Sequence, residues 1–260
     1  IAYNGRTRRR RLMPRYLLLS DIHANLTALE AVLAAAKGRW DTSVCLGDVV
    51  GYGPDPNEVI DRIMAMGVRT IRGNHDKAGS GVEDSEDFNP IARAAVEWTH
   101  HQLRPENLDW LRQLPAGPLV EDGLAFVHGA LGDEDEYVFT IEGAARSLRQ
   151  ATVQLTFFGH THVQGGFMMR NSRVEGFRPS IVPGAGFVPM ELDPDARYLI
   201  NPGSIGQPRD GDPRAGFVLA DPDRLHIEFW RVPYDIEAVQ KRMEEAGLPE
   251  PLVLRLAFGR

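Results

Sequence analysis

The chain has 260 residues, 43% of them hydrophobic, a formal net charge of -7 and one cysteine, Cys45. That is enough apolar material for one large domain, while the acidic balance argues against nucleic acid as a partner and the lone cysteine excludes an intramolecular disulfide. No apolar run approaches the ~18 residues of a membrane span, so no membrane role is expected; a reducing cytoplasm suits the composition, and a homo-oligomer is left open.

The first twelve residues, IAYNGRTRRRRL, stand apart. Met13 reads as a natural start and residues 1–12 as a disordered or non-native extension, with a basic nucleic-acid or membrane arm as the alternative. Removing the five arginines of that segment takes the formal charge from -7 to -12, which leaves an acidic body. Tyr16–Ser20 is a continuous apolar run with a polar end, the pattern of a buried parallel strand. Leu26–Lys37 has helical spacing and is followed by Gly38. Ser43–Leu46 is a second strand, 49–56 a Gly/Pro-rich loop, and Pro56 or Asn57 opens a helix to about Met66 that Gly67 stops. Val68–Ile71 is a third strand. This βαβαβ order predicts a sheet flanked by helices.

Residues 77–89 (KAGSGVEDSEDFN) read as polar, acidic and poor in structure. Two helices follow, Pro90 to about Leu103 and Glu106–Leu114, with Trp98 and Trp110 against the core. The expected organisation is one domain over 13–260 with a helical insertion at about 77–114. Leu119–Glu121 and Leu124–Val127 form a hairpin about the turn signal Asp122-Gly123. Ile141–Gln150 is a helix, Leu155–Phe158 a strand, and a hairpin is expected between Val163 and Met190. Arg197–Ile200, Gly216–Ala220 and His226–Arg231 are strands, and Asp235–Ala246 a helix ending at Gly247. The second half is mostly β, which suits two facing sheets.

Five short motifs lie just past expected strand ends: Asp21-Ile22-His23, Gly47-Asp48, Gly73-Asn74-His75-Asp76, His128-Gly129 and Gly159-His160-Thr161-His162. In open α/β sheets that edge is where ligands bind. Asp21, His23, Asp48, Asn74, His128, His160 and His162 offer mixed oxygen and imidazole donors. Such a set suits two divalent transition-metal ions: manganese is favoured, and iron, zinc, nickel or cobalt are acceptable. Paired cysteines are absent, which argues against a structural zinc site. Seven donors are too many for one ion but suit two if one carboxylate bridges. Two cations ~4 Å apart clamp both oxygens of an in-line displacement at phosphorus, and a water between them ionises near neutral pH. Each motif alone has a structural explanation: Asp21 as a helix cap, Asp48 as a turn residue. Asp76 is read as support for its turn through backbone N–H groups. His100, His101 and His226 are read without a metal role, Cys45 as a small buried hydrophobe, Asn89 as a helix cap, and Arg209 as the partner of a nearby acid rather than of a phosphate.

The ordered set D-x-H, G-D, G-N-H-D, H-G and G-H-T-H, from Ser20 to His162, resembles the calcineurin-like metallophosphoesterase superfamily. Asn201-Pro202-Gly203-Ser204 extends the match towards its small bacterial phosphoesterase members. The resemblance implies an α/β fold, a four-layer αββα sandwich of two mixed sheets flanked by helices. It implies that Asp21, His23 and His162 hold one metal, that Asp48 bridges, and that Asn74, His128 and His160 hold the second. His75 then faces the substrate as general acid. The implied activity is hydrolysis of a small or nucleotide-like phosphodiester by metal-bound hydroxide. A phosphomonoesterase or protein Ser/Thr phosphatase is the alternative, and a non-catalytic scaffold of the same fold, as in one retromer subunit, a further one.

The Ser/Thr protein phosphatases and symmetrical dinucleoside tetraphosphatases carry G-D-x-V-D-R-G where this chain has Gly47-Asp48-Val49-Val50-Gly51-Tyr52-Gly53. Gly51 replaces the carboxylate that orients their catalytic histidine, and Tyr52 replaces their phosphate-binding arginine. Asp55 or a backbone carbonyl is expected to orient His75 instead. With fewer fixed positive groups the site favours a diester over a dianionic monoester.

Overall fold

Alternation along each strand decides which layer its side chains join. In β1 (Tyr16–Leu19), Leu17 and Leu19 face one way and Tyr16 and Leu18 the other, and all four are fully buried. The computed structural model describes residues 12–182 and 184–260. The expectation for the N-terminal extension therefore falls, except at Leu12, outside the described residues.

The first sheet has the order β3-β2-β1-β11-β12-β9. In it β1, β2 (Thr42–Cys45) and β3 (Arg69–Thr70) run parallel. The strands β11 (Ala215–Asp221), β12 (His226–Val232) and β9 (Phe187–Glu191) continue it antiparallel. The second sheet has the order β4-β5-β6-β10-β7-β8. Its centre is the parallel trio β5 (Leu124–Phe126), β6 (Leu155–Phe157) and β10 (Arg197–Asn201). The strands β4 (Leu119–Glu121), β7 (Gly165–Arg170) and β8 (Arg173–Phe177) add antiparallel edges.

Tyr16, Leu18 and Val44 of the first sheet pack on Phe126, Phe157 and Tyr198 of the second. The opposite face of β1 packs on Leu29 and Val32 of α1 (Leu26–Ala36) and Ile60 and Ile63 of α2 (Pro56–Met66). On the far side α6 (Ile141–Gln150) lays Ala144 and Leu148 on Phe158 and Leu199. Helix, sheet, sheet and helix give the four-layer sandwich. Each fully buried leucine in it contributes about 1.5–3 kcal/mol. Local signals set the ends of the helices that flank it: Asn25 Oδ1 accepts from the Ala28 amide at 3.0 Å, and the Thr140 hydroxyl from that of Gly143 at 3.1 Å.

Two stretches differ from expectation. Residues 77–80 are not loop: Asn74–Ser80 is a helix, α3, whose Lys77, Ala78, Gly79 and Ser80 are buried. The Asp76 carboxylate starts it by accepting from the Gly73 amide at 3.0 Å. Near the C-terminus, α7 (Ile236–Glu245) is followed by an unanticipated helix, α8 (Glu250–Arg255). Between α3 and β4, α4 (Pro90–Gln102) and α5 (Pro105–Arg112) follow, with Trp98 and Trp110 partly buried against the core. Asn89 caps α4, accepting from the amides of Ile91 and Ala92.

Candidate metal centre

Loops at the carboxyl ends of β1, β2, β3, β5 and β6 converge on one point. Asp21, His23, Asp48, His160 and His162 all have left-handed backbone, with φ of 51°, 48°, 53°, 64° and 58°. Non-glycine residues adopt that region at a cost of order 1 kcal/mol or more, so the surroundings must hold them there. They do so by hydrogen bonds between loops: the Asp21 amide donates to the Gly47 carbonyl at 3.1 Å, that of His23 to Asp48 at 3.0 Å, and that of Gly159 to His128 at 2.8 Å. Gly73 is required by proximity, since a Cβ there would collide with Oδ1 of Asp48.

Backbone carbonyls fix the tautomer of every imidazole in the cluster. Nδ1 of His23 donates to Val50 O at 3.0 Å, Nδ1 of His162 to Gln207 O at 2.6 Å, and Nδ1 of His128 to Leu46 O at 2.8 Å. His160 is reversed, with Nε2 against Asp135 O at 3.1 Å. The remaining nitrogens therefore turn lone pairs inward. They meet in two pairs, His23 Nε2 with His162 Nε2 at 3.0 Å and His128 Nε2 with His160 Nδ1 at 3.1 Å. Two neutral imidazole lone pairs at that distance repel unless a cation lies against both. Burial, the largest cause in each case, pushes His23, His160 and His162 below the usual imidazole range, which keeps them in the neutral form a metal requires.

The carboxylates complete two sets. Asp21, His23, Asp48 and His162 bring ligand atoms within 4.8 Å of one another, and so do Asp48, His128 and His160. Asp48 belongs to both: its Oδ2 lies 3.6 Å from His23 Nε2 and 3.5 Å from His128 Nε2. Its Oδ1 accepts from the His75 amide at 2.9 Å. Burial, then Asp21 and Asp76, push the Asp48 carboxyl up, an electrostatic load that bound cations would remove. Burial alone would also raise Asp21, but His162, His128 and the Ser20 hydroxyl outweigh it and hold Asp21 below the usual carboxylate range. Asn74 Oδ1 lies 3.3 Å from His128 Nε2, on the second set's side. The donor types, the shared carboxylate and the inward lone pairs fit two divalent transition-metal ions. All seven sequence-derived ligand candidates thus lie in this one cluster.

His75 borders the cluster. Its ring packs on Tyr52 at 4.3 Å and meets the edges of His23 and Phe88 at 4.9 Å each. Neither Asp55 nor a backbone carbonyl orients it. Nδ1 has no hydrogen-bond partner among the described residues. Asp55 is engaged by Arg242 at 3.0 Å and by the Leu26 amide at 3.3 Å. The ring occupies the space a side chain at Gly51 would need, so aromatic packing orients it. Burial, then the charge of Arg209, depress its pKa. Asp76 supports the turn, accepting from the amides of Val50 and Gly73. Burial raises its pKa to about 6.

Arg209 also departs from expectation, because among the described residues no acid pairs with it. Its Nη2 donates to the Tyr52 hydroxyl at 3.3 Å and to Gln207 Oε1 at 3.0 Å. The adjacent Asp210 pairs with Arg231. Two groups gave no sequence signal. Tyr137 stacks on His160 at 3.7 Å. Lys77, with its side chain 1% exposed, meets Glu83, Glu134 and Asp135 at 3.0, 3.2 and 2.6 Å. His100 bonds Gly79 O at 2.9 Å and His226 pairs with Glu191 at 2.6 Å, both away from the cluster. Cys45 is buried in the core, and burial raises its thiol pKa.

A four-layer α/β sandwich with two His/Asp sets sharing one carboxylate at the strand ends defines a metal-binding phosphoesterase. The chain belongs to the calcineurin-like phosphoesterase superfamily, whose domain matches residues 15–224. It is 33% identical to an uncharacterised protein of Methanocaldococcus jannaschii over 94% of this chain and 97% of that one. The crystal structure of a metallophosphoesterase from Sphaerobacter thermophilus is similar at 41% identity and a TM-score of 0.83, covering 95% of this chain and 99% of that one. A hypothetical protein of Pyrococcus horikoshii shares the fold at 21% identity and a TM-score of 0.76, over 95% and 99%.

Proposed function

We propose that this phosphoesterase hydrolyses a small phosphodiester with two metal ions, manganese foremost and iron, zinc, nickel or cobalt also suited to the donors. The observation that carries the reading is the four buried imidazoles whose inward lone pairs form two sets about Asp48. Asp21, His23 and His162 are assigned to one ion, Asn74, His128 and His160 to the other, and Asp48 to both. When bound, such ions supply Lewis-acid activation of water and neutralise charge developing on the phosphoryl group.

The chain's own residues bind and orient. His75 lines the cleft beside Asn74 and His160. An anion in the cleft favours the protonated imidazole and so reverses the push that burial exerts on it. His75 can then give its proton to the departing oxygen. The preference for a diester rests on the walls. Tyr52, Phe88 and Tyr137 offer aromatic faces to a second ester group, while Glu83, Asp84 and Asp87 at the rim repel a dianion more than a monoanion. A reducing cytoplasm remains the favoured setting. Among the described residues no helix is long and apolar enough to cross a membrane.

The test compares bis(p-nitrophenyl) phosphate with p-nitrophenyl phosphate on the metal-loaded protein. A kcat/KM at least tenfold higher for the diester is expected, and equal or reversed values would reject the preference. His75→Ala should retain both metals by elemental analysis and lose about 10²–10⁴ in kcat. Turnover at the parent rate would remove His75 from the reaction.

A further inference from the structure

Most buried or half-buried cations near the cleft are matched by acids. Lys77 has three carboxylates, Arg72 has Glu134, and Arg242 has Asp55. Arg209 has none among the described residues. Among those residues its Nη2 bonds only neutral oxygens, and its buried Nε meets no acceptor. We propose that Arg209 is the substrate-binding guanidinium of this site, contacting the non-bridging oxygens of the phosphodiester, and that Tyr52 positions it; the assignment rests on the phosphodiesterase reading above.

Tyr52 links the group to the cluster. The guanidinium carbon is 5.6 Å from the Tyr52 ring centroid, and that ring lies 4.3 Å from His75 and 4.6 Å from His23. The backbone beneath is fixed, since the Arg209 amide donates to the His162 carbonyl at 3.2 Å. After burial, the charge of Arg209 is the next cause depressing both His75 and His162, so it is felt at the substrate side and at the ligand side together. A second guanidinium adds to the field: Arg255 of α8 donates to the same Gln207 Oε1 at 3.2 Å, also with no acid partner among the described residues. Gln207 is itself buried, and its Nε2 lacks an acceptor among the described residues. Two like charges about one neutral amide, with unmet donors beside them, form a place that an anion stabilises. Tyr52 stands where related enzymes carry an arginine in sequence, and its hydroxyl holds an arginine that arrives from elsewhere in the chain.

The experiment measures inorganic phosphate binding to the metal-loaded full chain by calorimetry, with metal content determined alongside. Arg209→Gln should keep its metals and weaken phosphate at least tenfold, with KM for bis(p-nitrophenyl) phosphate raised. Arg209→Lys keeps the charge but not the planar fork, and should weaken phosphate roughly threefold or more. Tyr52→Phe retains the ring on His75 but not the hydroxyl on Arg209, so KM should rise roughly threefold, by more than kcat falls. Parent-level phosphate binding by Arg209→Gln overturns the assignment. If that variant fails to fold, parent-level binding by Arg209→Lys does so. Should the parent bind phosphate through Arg209 yet hydrolyse no diester, the assigned activity fails and the anion contact stands.

Discussion

At Gly51 the backbone sits at φ 89°, and a Cβ built there would run into Nδ1 of His75. Relatives with an aspartate at this position orient their histidine by a hydrogen bond. Here Tyr52, His23 and Phe88 enclose the ring, and Nδ1 has no partner among the described residues. Restoring the carboxylate should therefore harm the site. Gly51→Asp must adopt a left-handed backbone and displace the ring, and a misplacement of ~1 Å costs about 10² in rate. We expect kcat on bis(p-nitrophenyl) phosphate to fall by about that factor with metal content retained; a gain in kcat would show that His75 lacks a carboxylate it needs. That the seven ligand candidates and His75 come together was legible because each follows a strand within a short motif. What orients His75 was not. Phe88 lies far from the histidine in the chain, and the neighbouring Gly51 reads as a lost group rather than as room for a ring.

Among the elements, α3 carries the largest surprise. KAGSG reads as loop because glycine and serine are poor helix formers. The helix exists because Asp76 caps its start and because Lys77 finds three acids from two loops. One of those loops, 133–137, also supports the metal cluster: the Asp135 carbonyl holds His160 Nε2 at 3.1 Å and Tyr137 stacks on the same ring. Lys77→Met leaves Glu83 and Asp135 without their cation and Glu134 with Arg72 alone. Their partial exposure limits the cost to about 1–2 kcal/mol, below that of a fully buried pair. Loss of support for His160 should also weaken metal affinity about tenfold. Urea unfolding and metal titration check the two effects separately, and an unchanged metal affinity would show that the loop does not depend on Lys77. Strands and longer helices were readable from periodicity because their buried faces are continuous, as in Tyr16–Leu19 and Ile141–Gln150. α8 was not, because it is one short stretch of six residues with no side-chain cap.

For the whole molecule, the clustered site sets how stability responds to metal and to pH. Burial lowers the imidazole pKa of His23, His75, His160 and His162. In the unfolded chain these rings take protons near pH 6.5, while the folded protein refuses them. Their share of stability is therefore complete above about pH 6.5 and is lost progressively as pH falls from there towards the depressed folded values. Asp48 and Asp76 act in reverse, since burial raises both carboxyls, Asp76 to about 6. Each loses stability as pH rises from about 4 towards its raised value. Four imidazoles outweigh two carboxylates, so the thermal midpoint of metal-free protein should fall on going from pH 6.5 to 5. A metal that binds only the folded state adds RT ln(1 + [L]/Kd), about 2.7 kcal/mol at 100 times Kd for each independent site. Protons compete for the same ligands, so the gain from manganese should shrink as pH falls over this interval. Differential scanning calorimetry with and without manganese, at both pH values, measures the metal-free slope and the metal increment in one series. A midpoint unmoved by manganese at pH 6.5, or an increment that grows on acidification, would mean that these imidazoles are structural and do not hold the metal.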